Sequence, residues 1–137
     1  MWKYYALLSA FFAALTAILA KVGVKGINGN LATAIRTTVV LLLAWGIVFF
    51  SNQLKGVKEL SKTNLIFLVL SGLATGLSWI FYFKALETGD VSKVAPIDKL
   101  SVVFVMILSF LFLKEQMDVK TIAGGMLIAI GAIILVW

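Results

Sequence analysis

The sequence predicts an all-α, polytopic membrane protein with five transmembrane helices, and three observations lead there. Of its 137 residues, 62% are hydrophobic, against about 45–50% in soluble domains, and the mean hydropathy is +1.08. The apolar residues fall into five runs of nearly the length, about 20 residues, that a helix needs to cross a hydrocarbon core of about 30 Å. Glycine, polar and charged residues gather between those runs, and only one proline is present.

Taken in order, the first span is Tyr4 to Ala20. Lys3 and the small residues of this run give it some look of a secretory leader, but it is long enough to cross the bilayer and four more spans follow. It reads as a membrane helix that is kept. The link "KVGVKGINGN" (Lys21–Asn30) holds three glycines and leads to the second span, Leu31 to Phe50. The polar stretch "SNQLKGVKELSKTN" (Ser51–Asn64) precedes the third, Leu65 to Phe83. The charged links "KALETGDVSK" (Lys84–Lys93) and "KEQMDVK" (Lys114–Lys120) bound the fourth, Val94 to Leu113, and the fifth, Thr121 to Trp137. Links this short make neighbouring helices antiparallel. The whole of residues 1–137 reads as one transmembrane domain. Trp2, Tyr4, Tyr5 and Trp137 stand at its ends, where amphipathic rings prefer the membrane–water interface.

Composition excludes several chemistries. The chain has no cysteine and no histidine, so disulfides and the common ligands of zinc, haem and iron–sulfur clusters are missing. Nucleophile systems built on cysteine or histidine are missing too. An enzyme is not expected, nor a metal or cofactor. The net charge of +6 raises nucleic acid as a partner, but the lysines flank apolar runs and read as anchors to anionic lipid headgroups.

Charge also bears on topology. With five spans, Lys3, Lys55, Lys58, Lys62, Lys114 and Lys120 fall on the N-terminal side, and Lys21, Lys25, Arg36, Lys84, Lys93 and Lys99 on the other. An excess of Lys and Arg in cytoplasmic loops normally sets orientation, and here there is none. One reading is that another signal orients the chain. The other is dual topology, in which the chain inserts both ways and pairs with an inverted second copy of itself. Leaving out Arg36 and Lys99, which lie inside spans, gives six against four and a weak preference for the N-terminal side in the cytoplasm.

Polar residues recur at helical spacing inside the spans. Asp98, Ser101, Val105 and Ser109 share one face of the fourth helix, and Ser71, Thr75, Ser78 and Tyr82 share one of the third, since spacings of three or four residues stay on one side. Gly72, Gly76, Trp79 and Phe83 run beside that second face. Ser9, Ala13, Thr16 and Ala20 line the first helix. Small and hydroxylated stripes serve tight helix packing; stripes on three helices at overlapping depth also suit a shared polar cavity, and both readings stay open. The fifth helix, with Gly124, Gly125, Ala129 and Gly131, carries no charge and reads as a packing or dimer surface.

The charged residues discriminate better. A charge deep in lipid costs about 2.5–3.5 kcal/mol or more, so such groups face protein or water and generally pair. Arg36 is five residues into the second span and Asp98 four into the fourth, entered from the same side. Their depths agree within about one turn, roughly 5 Å, which suggests an Arg36–Asp98 pair or a network that adds Lys99. Arg36 and Lys99 have a second option, reaching back along their helices to the headgroups; Asp98 is too short for that. Pro96 reads as the start of the fourth helix, where a missing N–H is tolerated. Asp98 then sits near the positive helix end, with Lys99 about 100° off its face.

The stretch from Phe81 to Leu135 resembles the second part of an EamA domain of the drug/metabolite transporter superfamily. The matching features are "AL" at the end of the third helix (Ala85-Leu86) and "VAPI" opening the fourth (Val94-Ala95-Pro96-Ile97). They continue with "FLKE" closing the fourth (Phe112-Leu113-Lys114-Glu115) and a glycine-rich fifth helix (Gly124, Gly125, Gly131). The resemblance extends over essentially the whole chain. It implies one five-helix repeat, where larger relatives carry two inverted repeats with the substrate site between them. An antiparallel homodimer would rebuild that ten-helix arrangement.

Two departures matter. The second proline common after the "PI" opening is absent, since Leu100-Ser101-Val102 stand there, so no proline demands a kink. The four-helix small multidrug resistance relatives carry a first-helix glutamate that binds protons and cations; here "ALLSAFFAALTAILA" has no acid. That exchange mechanism does not transfer, and Asp98 becomes the best acid for any proton coupling. The resemblance implies a small secondary transporter in the cytoplasmic membrane of a bacterium or archaeon. It would move a metabolite or organic ion, a small molecule of unspecified identity, by alternating access. Asp98, Arg36 and Lys99 would supply charge recognition, Trp79 and Tyr82 aromatic contact, and Ser101, Thr75 and Ser78 the polar wall. A flippase-type or accessory subunit paired with another membrane protein, or a non-transporting scaffold, are the alternatives.

Overall fold

The computed structural model describes all 137 residues; they form helices joined by short turns and loops, with no strand. Five stretches are long and apolar enough to cross a membrane: Trp2–Gly23, Gly29–Phe50, Lys62–Thr88, Val91–Leu113 and Val119–Val136. We name the α-helices α1 (Trp2–Gly23), α2 (Gly29–Phe50), α3 (Lys62–Thr88), α4 (Val91–Asp98), α5 (Ser101–Leu108) and α6 (Val119–Val136). A 22-residue helix such as α2 is about 33 Å long, enough for the hydrocarbon core. Several helices start or stop beyond their apolar runs because polar caps and glycines at the water boundary, not hydropathy, set their ends.

The residues form two compact units, Met1–Leu19 with Thr88–Trp137, and Ala20–Glu87. In the second, α1 ends at Gly23 and the chain turns through Gly26, whose φ of +76° is a left-handed value that a side chain would resist. Asn28 caps α2: its side-chain oxygen accepts from the Asn30 N–H at 2.8 Å, supplying one of the partners that early helical N–H groups lack. The helix closes at Ser51, whose N–H reaches Ile47 O at 2.9 Å. Asn52 follows with φ 56° and leads into a 3₁₀ helix over Gln53–Glu59. Ser61 Oγ accepts from the Asn64 N–H at 3.1 Å at the start of α3. The buried residues here are Ala20, Val24, Gly29, Ala32, Thr33, Phe83 and Leu86.

In the other unit the fourth span is not one continuous α-helix. Helix α4 begins at Val91, with Asp90 in extended conformation before it, so Pro96 is its sixth residue. The sequence reading that Pro96 marks the helix start is therefore corrected: Asp90 opens the helix earlier, and the proline lies inside, where it removes the N–H that would bond to the carbonyl four residues back. At the end of α4 the bonds tighten to i+3 spacing, Lys99 N–H to Pro96 O at 3.1 Å and Leu100 N–H to Ile97 O at 2.9 Å. Helix α5 then resumes at Ser101. Beyond it, Ser109–Leu113 winds as a π-helix. The Ser109 carbonyl accepts from the N–H groups of both Lys114 and Glu115, and Lys114 ends the span at φ 54°.

Helix α6 is unbroken and packs against both α4 and α5. Asp118 caps it, accepting from the Thr121 N–H at 2.9 Å and from the Thr121 hydroxyl. Gly125 is the point of closest approach: the Met106 thioether of α5 fills the place a Cβ would take. Most large apolar side chains are exposed, among them Phe11, Phe12, Phe67, Phe104 and Phe110. Lipid chains are as apolar as leucine, so a membrane helix gains little by burying such faces.

Candidate functional site

In the Ala20–Glu87 unit, the key group is a guanidinium inside a span. Arg36 is the eighth residue of α2. Its Cζ lies 4.2 Å from the centroid of the Trp79 ring and 5.7 Å from that of Phe83. Trp79 and Phe83 are four residues apart on α3 and present adjacent rings to it. Arg36 and Trp79 are half-buried and Phe83 is buried. Tyr82 stands beside Phe83, the rings 6.4 Å apart and edge to face. A cation over the negative face of an indole is attracted by the ring quadrupole, by about 0.5–2 kcal/mol depending on desolvation.

The position of Arg36 along its helix can be set beside that of the two rings. The Gly29 N–H at the start of α2 donates to the Glu87 carboxylate at the end of α3. From that contact, the Arg36 backbone is seven residues further along α2, about 10 Å. Trp79 is eight residues back along α3, about 12 Å, and Phe83 only about 6 Å. The guanidinium is closer to Trp79 than to Phe83, so it lies level with its own backbone or deeper.

The end of this unit holds a second polar cluster. A pocket of about 440 Å³ is lined by Lys21, Val24, Lys25, Gly26, Ile27, Asn28, Leu86 and Glu87. Lys21 Nζ donates to the Leu86 carbonyl at 2.6 Å. A cation therefore meets the C-terminal carbonyls of α3, and a carboxylate meets the N-terminal N–H groups of α2, each matching its helix dipole. Sequence reasoning used Lys21 and Glu87 only as loop charges; the local signal was Asn28, a capping residue directly before an apolar run.

The hydroxyl stripe on α3 is partly used by its own helix. Thr75 Oγ1 donates to Ser71 O at 2.9 Å. On α2, Thr33, Thr37 and Thr38 donate to the carbonyls of Gly29, Thr33 and Ala34 at 2.8, 2.7 and 3.0 Å. This back-bonding satisfies the hydroxyl proton without a neighbour. Thr75 and Ser78 are exposed and keep acceptor lone pairs for a ligand or water.

In the other unit, Asp98 and Lys99 stand at the break in the fourth span. Lys99 Nζ is 3.4 Å from Asp98 Oδ2. Asp98 is the last residue of α4, not near a positive helix end as the sequence suggested, because the helix begins at Val91 and stops at this residue. Its negative charge faces the unfavourable end of the α4 dipole, and Lys99 offsets it. Lys99 also borders a groove with Ala95 and Pro96 on α4 and Ile128, Gly131, Ala132 and Leu135 on α6. Ser101 opens α5 and is exposed. Within its unit the structure thus joins Arg36 to Trp79, with Tyr82 close by through Phe83, and in the other it joins Asp98 to Lys99. Phe83 was not among the sequence-predicted site residues.

The chain matches the EamA-like transporter family over residues 1–137. It is 50% identical over 134 residues, 98% of this chain and 95% of the relative, to a Sinorhizobium sp protein named "Uncharacterized transporter in cobO 3'region". No solved structure matches it.

Proposed function

This chain belongs to the EamA-like transporter family and is a membrane transporter, and from that premise we propose that it moves a small metabolite or organic ion by alternating access as an antiparallel homodimer. The observation that carries this reading is the break in the fourth span at Lys99–Leu100, directly beside the only acid within that span. Secondary transporters place substrate and ion sites where membrane helices are discontinuous, near the interface of inverted repeats. One five-helix repeat supplies half of such a site, and the even Lys and Arg count suits a chain inserted in both orientations.

In this reading Arg36 serves recognition in one unit and Asp98 in the other. Each is the eighth residue of its helix. Lys99 and Ser101 flank Asp98 at the break, and Trp79, Tyr82, Thr75 and Ser78 form the wall. The Sinorhizobium relative supports a bacterial cytoplasmic membrane as the location. Reporter fusions at residue 137 test the dimer: signal on both sides of the membrane supports it, and one exclusive orientation sinks it. Counterflow in proteoliposomes tests transport. Substrate-dependent flux lost in Asp98→Asn, with assembly preserved, is the expected result; full flux in that variant removes Asp98 from the mechanism.

A further inference from the structure

We propose that Arg36 is an oxyanion receptor, and that the ligand is an organic anion whose carboxylate or phosphate docks on the outer edge of the guanidinium. The faces and edges of a guanidinium recognise different things. Its face stacks on aromatic rings, while its five N–H donors lie in the plane and form the fork that matches carboxylate and phosphate oxygens. Here the rings cover one side of the group: its carbon lies 4.2 Å from the Trp79 centroid and 5.7 Å from that of Phe83. Its donors are left for another partner. Arg36 forms no ion pair within its unit, whose two acids are Glu59 and Glu87. Glu87 is held by Gly29. No protein carbonyl or hydroxyl accepts from Arg36.

An unpaired charge at membrane depth is tolerated where it meets water or a ligand. In this conformation the guanidinium lies beside the Trp79 ring. The ring contacts also restrain the side chain, so less rotamer freedom is left to lose when two parallel hydrogen bonds form. The Tyr82 and Phe83 rings nearby favour a ligand with an apolar or aromatic body. As the transported species this ligand rests on the transporter reading above; as a bound species it is tested separately.

Trp79 is its own reporter. Protein with Trp2, Trp45 and Trp137 replaced by phenylalanine keeps one indole, directly under the guanidinium. In phosphatidylcholine vesicles, benzoate and phenyl phosphate are expected to change its fluorescence saturably, and choline is not. Arg36→Gln is expected to weaken the two anions at least tenfold; Arg36→Lys, which keeps charge but not the fork, lies between and serves if the glutamine variant does not fold. Response to choline alone, no saturable response to either anion, or equal anion affinity in Arg36→Gln overturns the proposal. So does an Arg36-dependent change produced only by adding phosphatidylglycerol, which makes the partner a lipid headgroup. Anion binding without flux leaves this site standing and defeats the transport reading; flux without anion binding does the reverse.

Discussion

The Glu87 carboxylate accepts a hydrogen bond from the Gly29 backbone N–H, tying the last turn of α3 to the first residue of α2. The glycine is required there. A Cβ on residue 29 would lie 2.6 Å from Glu87 Oε1 and 3.3 Å from the Lys84 nitrogen. Glu87→Ala removes a helix-capping acceptor and is expected to cost about 0.5–2 kcal/mol. Gly29→Ala is expected to cost a similar amount by displacing the carboxylate. Because both act on one contact, their effects should not add. Unfolding of the two variants and the double variant in mixed micelles checks this: fully additive losses contradict the contact.

Asp118 gives a pH signature. Hydrogen bonds from the Thr121 hydroxyl and then from the Thr121 N–H hold its carboxyl below the usual range. A carboxyl lowered in the folded state adds stability above its unfolded value, about 3.9, and loses it as pH falls further through the folded value. Asp118→Ala is thus expected to melt lower than the parent near neutral pH, with the gap closing below about pH 3.9. Asp118→Asn, an equally good cap, should keep most of the stability without this pH dependence. Thermal melts of the three proteins between pH 7 and pH 3 decide it; a gap independent of pH contradicts the assignment.

Gly125 and Met106 form a lock between α6 and α5. A side chain at 125 meets the methionine sulfur and methyl directly. Overpacking of this kind costs about 1–3 kcal/mol, and Gly125→Ala is expected at the low end because a thioether can swing aside. Gly125→Leu should cost more. Met106→Ala in the Gly125→Ala background is expected to recover part of the loss, and no recovery would show that the two residues do not touch.

Asp98 can be probed with little structural penalty. Its ion pair with Lys99 is exposed on both sides, and pairs of that kind contribute about 0–1 kcal/mol. Asp98→Asn should therefore leave the unfolding transition nearly unchanged while lowering flux at least about tenfold, the scale of a lost charge-assisted contact. A large loss of stability would make Asp98 a structural residue instead.

The helices were legible because a bilayer demands long apolar runs, and five of them stand in the sequence. The break in the fourth span was not. It depends on which carbonyl each N–H chooses around Lys99 and Leu100, and no second proline marks it. Pro96 was visible, but without the earlier start at Asp90 and Val91 it read as a beginning. At the candidate site, depth suggested Asp98 as the partner of Arg36. Helical spacing placed Trp79 and Phe83 on one face of α3 without saying what that face meets. The aromatic seat of Arg36 required the pairing of α2 with α3. Glu87, counted only as a charge, turned out to anchor the first turn of α2.

Helix α6 acts as a splint along a jointed rod. Ile128, Gly131, Ala132 and Leu135 meet α4 on one side of the joint, and Gly125 meets α5 on the other. One continuous helix therefore bridges both halves of a discontinuous one. Any change of angle at Lys99–Leu100 would therefore have to remake packing on both sides of the joint, the Met106–Gly125 approach among it.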